Sequence, residues 1–328
     1  MMTLTTNGKQ IQSTKSQQAS FARSQWILFQ SRKRWGILYS LATVTGLFFI
    51  PGMLGIISTE ASVLSTVQKM LPLPVISFLI TVGMFVLNDL VDSDLDRANG
   101  KKRPIPSGLV SKRQAWTFII STNAAALVLS IITFNPTASL IVAAMLIIGI
   151  LYSAPKIALM KRFLIKTITI AIYYCLCALL GATSYGTDLV INNPVILAHG
   201  LSMLAVMIFI SSTLNDLGDV GGDRAAGRRT VPIVIGEGNT IKLCMILAIS
   251  MLPLAWLFYV LGNAVVDDQG NLIMAITTSL FSILITSKMA AMVKSQQDME
   301  SMRRHHKKLF PLNLVLQSNV AMGGLMVL

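Results

Sequence analysis

Residues 71–96 read LPLPVISFLITVGMFVLNDLVDSDLD, an apolar run that ends in a cluster of acids. The apolar part, 71–88, is long enough to cross a hydrocarbon core of about 30 Å as a helix that rises about 1.5 Å per residue. The pattern returns 127 residues later, where the apolar segment 195–214 leads into LNDLGDVGGD (214–223). The sequence therefore predicts two membrane-spanning helices that carry related acidic phrases at their ends.

The composition of the chain also indicates a membrane protein. Of its 328 residues 53% are hydrophobic and only 12% are charged, whereas a soluble globular domain carries about 25% charged residues. Nine apolar segments can be placed, at 35–57, 71–88, 115–134, 137–153, 164–186, 195–214, 241–262, 270–292 and 309–328. The predicted fold is therefore all-α: a polytopic bundle of nine transmembrane helices, with an internal repeat and a cap of cytoplasmic loops.

The basic residues predict the orientation of the bundle. Of the 27 Lys and Arg residues, 26 fall on alternate loops and on the N-terminal tail. The positive-inside rule then places the N-terminus and four basic loops in the cytoplasm, and we expect the cell (plasma) membrane as the location. The net charge of +13 reflects this topology and attraction to anionic lipid, and no nucleic-acid partner is expected because no separate basic domain exists.

The first 20 residues are polar and lack the apolar core of a signal peptide. We expect residues 1–30 to form a flexible cytosolic tail and residues 31–328 to form the transmembrane domain.

Both acidic phrases lie at the same predicted membrane face, because segments two and six both run from the outside to the cytoplasm. Each phrase is followed by a basic stretch that contains proline, GKKRPIPSG (100–108) and GRRTVPIVIG (227–236). We interpret this as an internal repeat in which helices two to four correspond to helices six to eight. Two equivalent acidic sites would then face each other across one bundle.

The two phrases hold seven of the 14 acidic residues in the chain. Spacings of three and four return to one helix face, so Asn88, Asp92 and Asp96 are predicted to converge on one point. Asp216, Asp219 and Asp223 are predicted to do the same. Such a cluster of carboxylates is unfavourable unless a cation neutralises it, and hard oxygen ligands suit Mg²⁺, which bridges to substrate phosphates. A solvated helix end would explain one such phrase, but two on the same face favour a site.

Cations lie beside both phrases. Arg and Lys follow them at 97–103 and 224–229, and more occur in YSAPKIALMKR (152–162). Each cation is also explained by topology alone, but carboxylates for Mg²⁺ with Arg and Lys for oxygen anions together make a diphosphate clamp. A diphosphate held beside an apolar bundle implies a lipid tail in the membrane, and its departure would leave an allylic carbocation.

The motif set NDLVDSDLD with RPIPSG, YSAPK…MKR and NDLGDVGGDRAAGRRTVP resembles the UbiA superfamily of intramembrane prenyltransferases. The resemblance covers nearly the whole chain after residue 30. It implies Mg²⁺-dependent transfer of a prenyl chain from a prenyl diphosphate to a lipid or aromatic acceptor, either an ether-lipid glyceryl phosphate or a prenylquinone precursor. One departure is Lys156, which stands where many members have a second proline.

The resemblance also implies roles for individual residues. Those implied in catalysis and in Mg²⁺ binding are Asn88, Asp92, Asp96, Asp219 and Asp223. Those implied in diphosphate binding are Arg103, Lys161, Arg162, Arg224 and Arg228. Those implied in acceptor binding or support are Tyr152, Asp89 and Asp216.

Three functions stay open at this point. The motifs look nearest to the branch with geranylgeranylglyceryl-phosphate and chlorophyllide acceptors. A terpene cyclase of the same superfamily would need no acceptor. A cation transporter is less favoured, because it should carry its carboxylates near the bilayer midplane rather than at the helix ends.

Overall fold

Every regular element in the described part of the chain is helical. A computed structural model describes residues 18–53, 71–98, 100, 102–133, 135–263, 269–294, 314–315 and 317–318. The long helices are α1 (Phe21–Met53), α2 (Pro72–Val91), α4 (Lys112–Ile132), α5 (Pro136–Ser153), α6 (Ile165–Ala182), α8 (Pro194–Leu217), α11 (Glu237–Asn263) and α12 (Gln269–Lys294). The short α-helices are α3 (Ser93–Ala98), α7 (Thr187–Asn192), α9 (Val220–Ala225) and α10 (Val231–Ile235), and 3-10 turns cover Leu159–Lys161 and Thr183–Tyr185.

The lengths and compositions of the helices confirm the predicted class of helical membrane protein. Seven of the long helices in the described ranges, all except α1, are long and apolar enough to cross a membrane. Residues 35–53 of the first predicted segment lie in α1, whose first ten residues, 21–30, fall within the predicted tail. The ninth segment, 309–328, lies almost wholly outside the described residues, so the count of nine stays a prediction.

Local sequence explains where several helices begin. Proline occupies the first turn of α2, α5 and α8, where its missing N–H costs no hydrogen bond. Ser111 begins α4 with a capping box, in which its side chain accepts from the Gln114 backbone and Gln114 reaches back. Asn135 caps α5 by accepting from the Ala138 N–H at 3.0 Å.

The packing of the helices follows the predicted internal repeat. In the first half α2 packs against α1 and α4, and α4 packs against α5. In the second half α8 packs against α6 and α11, and α11 packs against α12. The six-residue helices α3 and α9 follow α2 and α8 respectively. The repeat therefore includes α1 and α6, one helix more per half than the sequence suggested.

The two halves meet where α1 and α6 touch backbone to backbone. A Cβ atom on Gly46 would lie 1.8 Å from the carbonyl oxygen of Ala178, and one on Gly181 would lie 1.9 Å from the carbonyl oxygen of Thr43. Neither carbonyl can move away as a side chain could. Small residues that allow close backbone approach are a general feature of helix contacts in membranes.

We expect Gly46→Ala and Gly181→Ala to lower the thermal unfolding midpoint in detergent, because the added methyl group forces the halves apart at a cost of about 1–3 kcal/mol. Gly221→Ala is the control, since its Cβ would meet no atom within 4 Å. An unfolding midpoint equal to that of the wild type in both variants would contradict this account of the interface.

Candidate active site

Each acidic motif spans a break between a long helix and a short one. The backbone of Asp92 leaves the α2 conformation, with φ −84° and ψ 0°, and the Asp96 N–H donates to the Asp92 carbonyl at 2.8 Å. In the second motif Asp219 lies at the corresponding break, and the Asp223 N–H donates to the Asp219 carbonyl, also at 2.8 Å. The two motifs thus share one backbone design.

Arg228 joins the two motifs across the bundle. Its guanidinium donates through Nη1 to Asp223 Oδ1 at 3.1 Å and through Nη2 to Asp92 Oδ2. All three side chains are at most 15% exposed. The predicted approach of the two acidic phrases is therefore present in the structure, with an arginine between their carboxylates.

The charge of Arg228 is fixed by this position. Burial by itself would lower the pKa of its guanidinium, but the carboxylates of Asp92 and Asp223 outweigh that effect and raise the pKa. The side chain is therefore a permanent cation at the centre of the site, and its Nε atom is buried without a hydrogen-bond partner.

Arg103 plays a bridging role within the first motif. Its Nη1 atom donates to Asp89 Oδ1 at 2.8 Å and to Asp96 Oδ2 at 2.7 Å. The RPIPSG loop that carries Arg103 is thereby tied to the end of α2 and to α3. Asp94, in the same motif, is 73% exposed and pairs at 3.1 Å with Lys112, away from this network.

Two buried cations in this network do not follow from the motifs. Arg32 in α1 donates through Nε to Asp89 Oδ2 at 2.6 Å and through Nη2 to Asp89 Oδ1. Lys166 in α6 donates to Asp216 Oδ1. The side chains of Arg32 and Lys166 are 14% and 11% exposed. Both pairs sit at equivalent places in the repeat, since α1 and α6 each precede a motif helix.

In the sequence these cations look like ordinary topology charges beside an apolar segment. The signal that could have found them is the alignment of the two halves, which places a basic residue near the beginning of the apolar stretch in α1 and in α6, Arg32 and Lys166 respectively.

An apolar cavity opens below the acidic network, between α1, α2, α5 and α6. Asn88 and Tyr152 line it together with aromatic and aliphatic side chains, and its volume is about 120 Å³. Asn88 also donates to Met160 Sδ at 2.9 Å. Tyr152 lies close enough to Asp216 and Asp223 to interact electrostatically with them. The polar end of the cavity is thus part of the acidic site.

The remaining predicted cations line the rim of the site rather than its centre. The side chains of Lys161, Arg162 and Arg224 are exposed. The Arg229 N–H donates to the Lys161 carbonyl at 2.9 Å, which joins the 152–162 loop to the loop after the second motif. Arg162 donates to the Ile157 carbonyl at 3.2 Å. Sequence-distant loops thus place these cations on one rim.

Gly222 leaves room for the side chain of Asp219. A Cβ atom on Gly222 would lie 2.4 Å from Asp219 Oδ1, so the carboxylate lies directly against the backbone of α9. A larger side chain at position 222 would displace it. The glycine therefore helps to fix the orientation of Asp219.

The acid residues fit Mg²⁺ that is shared with a substrate. Among the described residues no three His, Cys, Asp or Glu side chains are close enough to hold a metal ion unaided. The donors present are hard oxygens on both sides of Arg228, and Mg²⁺ typically takes one or two carboxylates, keeps waters and completes its shell with substrate phosphates. The predicted ligand set remains a prediction that this chemistry supports.

Fold and site together define a polytopic helical membrane protein whose paired acidic motifs and buried arginines cover an apolar cavity. A model of the UbiA prenyltransferase family matches residues 47–314. The chain belongs to this family, and it is an integral membrane prenyltransferase.

Known proteins agree with this assignment. The digeranylgeranylglyceryl phosphate synthase of Methanoculleus marisnigri is 32% identical over 206 residues, which cover 60% of this chain and 70% of that protein. The synthase of the same name from Natronomonas pharaonis is 30% identical over 205 residues, 61% of this chain and 70% of that protein. The structure of a UbiA homologue from Archaeoglobus fulgidus bound to DMAPP and Mg²⁺ superposes with a TM-score of 0.67 at 17% identity, over 93% of this chain and 98% of the other.

We expect Lys166→Met to destabilise the protein by about 3–5 kcal/mol, because it leaves the buried carboxylate of Asp216 without its cation. Adding Asp216→Asn should restore most of the loss, since neither partner then carries a charge. Thermal unfolding in detergent measures both. Lys112→Met is the control, because its pair with Asp94 is exposed and is expected to contribute about 0–1 kcal/mol. Equal destabilisation by the Lys166 and Lys112 variants would refute this role for the buried pair.

Proposed function

We propose that this enzyme transfers a geranylgeranyl-type chain from its diphosphate to the hydroxyl group of a glyceryl phosphate acceptor. The observation that carries the proposal is the cluster of Asp92, Arg228 and Asp223, placed over an apolar cavity that can receive the reacting end of the chain. The names of the relatives support the choice of a glyceryl phosphate over an aromatic acceptor.

The substrate diphosphate would bind between the two motifs. Asn88, Asp92, Asp96, Asp219 and Asp223 would hold Mg²⁺, which supplies charge neutralisation to the departing diphosphate when it is bound. Arg228 and Arg103 already donate to carboxylates of the motifs. When the diphosphate binds, its oxygens can take the place of those carboxylates as acceptors. The C–O bond to the prenyl chain then breaks, and the electron pair leaves with the diphosphate. The acceptor hydroxyl oxygen bonds to the allylic carbon, and its proton passes to the released diphosphate.

The apolar cavity would hold the prenyl chain of the substrate next to its diphosphate. Its apolar lining gives the prenyl chain an environment without water, which protects an allylic cation from hydrolysis. Tyr152 lies at the polar end of this cavity and interacts electrostatically with Asp216 and Asp223. The reacting carbon would lie here, between the anionic diphosphate and the apolar cavity.

The exposed cations at the rim support an acceptor with a phosphate group. Lys161 and Arg162 on one loop and Arg224 on α9 leave their side chains accessible, whereas Arg103 and Arg228 are engaged with carboxylates. A phosphate at this rim would place the acceptor hydroxyl group toward the site. We further propose that this face lies in the cytoplasm and that the enzyme resides in the plasma membrane, because the basic loops lie on the motif side.

The function is tested by offering purified enzyme geranylgeranyl diphosphate with Mg²⁺ and either geranylgeranylglyceryl phosphate or an aromatic acceptor, with products identified by mass spectrometry. We expect a new ether bond to the glyceryl phosphate. An aromatic product would refute the acceptor, and a hydrocarbon or terpene alcohol formed without acceptor would indicate a cyclase.

We expect Asp92→Asn and Asp223→Asn each to lower the rate of diphosphate release by about 10²–10³-fold, because each removes a charge that the reaction requires at the diphosphate. Asp94→Asn should retain normal turnover, since Asp94 faces solvent. Chelation of Mg²⁺ should stop release in the wild type. Near-normal release in either motif variant, or release that persists in chelator, would count against the assigned site.

A further inference from the structure

The side chain of Met160 contacts the first motif from a distant part of the chain. Asn88 Nδ2 donates to Met160 Sδ at 2.9 Å, across 72 positions of sequence. Met160 is 2% exposed, and Asn88 lines the cavity below the acidic network. Because a thioether sulfur accepts hydrogen bonds and cannot donate one, it requires the NH₂ end of the Asn88 amide to face it. The amide oxygen, Oδ1, lies on the other branch of the planar group, farther from the sulfur.

The orientation of this amide matters for the role that the motif implies for Asn88. Mg²⁺ takes oxygen ligands, so Asn88 can bind it through Oδ1 and not through Nδ2. The two ends of a side-chain amide are almost equal in size, so packing alone does not distinguish them. The carboxylates of Asp92 and Asp96 present an oxygen either way. Asn88 is therefore the member of the predicted ligand set that needs a partner to orient it.

The backbone of the turn that carries Met160 is strained on both sides. Met160 lies in the 3-10 turn Leu159–Lys161. Ala158, with φ 43°, precedes the turn, and Leu164, with φ 58°, follows it, and these are the two non-glycine residues with positive φ in the described ranges. Each such residue costs about 1–3 kcal/mol and persists only where the surrounding structure imposes it. The packing of the site therefore determines where the sulfur of Met160 lies.

The second motif offers an internal comparison. Asn215 occupies the place in LNDL (214–217) that Asn88 occupies in LNDL (87–90). Asn215 is exposed, whereas Asn88 is half-buried against Met160. The predicted ligand set includes Asn88 and does not include Asn215. The contact with sulfur thus occurs at the asparagine for which a role in metal binding is predicted.

We propose that Met160 is a positioning residue, which holds the Asn88 amide so that its oxygen is available to Mg²⁺ and the substrate diphosphate. This inference rests on the proposed function. Without the sulfur the amide is free to turn its NH₂ group toward the metal, and that orientation does not bind. Loss of one hydrogen bond of this kind is expected to weaken metal binding about two- to tenfold.

The test measures binding of Mn²⁺, which takes the same hard oxygen ligands as Mg²⁺, to the purified protein with inorganic pyrophosphate. The electron paramagnetic resonance signal of free Mn²⁺ gives the affinity, and thermal unfolding is followed in the same samples. Met160→Leu conserves volume and removes the acceptor, so it should weaken Mn²⁺ binding about two- to tenfold with little change in the unfolding midpoint. Met160→Gln supplies an amide acceptor and should recover most of the affinity. Met251→Leu, at a fully buried methionine of α11, is the matched control and should bind Mn²⁺ like the wild type.

A second background separates orientation from packing. In Asn88→Asp either carboxylate oxygen can bind the metal, so adding Met160→Leu should weaken Mn²⁺ binding no further. Equal weakening by Met160→Leu in both backgrounds, or no weakening in either, would overturn the proposal. Met160→Ile, which also lacks the acceptor, replaces Met160→Leu if that variant folds poorly. If the wild type binds no Mn²⁺ with pyrophosphate, the metal site of the proposed function fails, and the role of Met160 fails with it.

Discussion

The structure depends on neutralising carboxylates that are buried at the end of a membrane helix bundle. Asp89, Asp92, Asp96, Asp216 and Asp223 are each at most 5% exposed, in surroundings where an unpaired charge costs several kcal/mol. Cations from other parts of the chain neutralise these carboxylates. Three of the pairs connect residues at least 50 positions apart. A fourth joins Arg103, in a loop, to Asp89 near the end of α2. The requirement for charge balance thus ties the helices together within each half, and Arg228 adds a link between the two halves.

Each half of the repeat neutralises its acids in a slightly different way. In the first half Asp89 receives two bonds from Arg32 and one from Arg103. In the second half Asp216 receives one bond from Lys166, and its Oδ2 atom is buried without a partner. The first half is therefore tied more tightly to its loop, while the second half supplies Arg228, the residue that crosses to the first motif. A duplicated framework has become asymmetric at its centre, as the proposed site for one diphosphate and one acceptor requires.

Much of the fold and part of the site could be predicted from local patterns. The apolar run 71–88 and its counterpart at 195–214 are long enough to predict helices without any tertiary information. The spacing of the acids predicted two equivalent motifs, and the contact of Arg228 with Asp92 and Asp223 shows that they meet. By contrast, the three acids of the second motif do not converge on one point. Asp216 pairs with Lys166, and Asp223 pairs with Arg228.

The sequence by itself determined the class of membrane protein, the duplication and the residue types at the polar face, because each is recorded in the order of neighbouring residues. The tertiary structure decided which cation neutralises which acid. It selected Arg32 and Lys166 from the 27 basic residues of the chain, and it brought the rings of Tyr39 and Tyr173 from two different helices into contact. The physical reason is that a charge or a ring acquires its role from the low-dielectric space that it shares with distant residues, and that space exists only once the helices have packed.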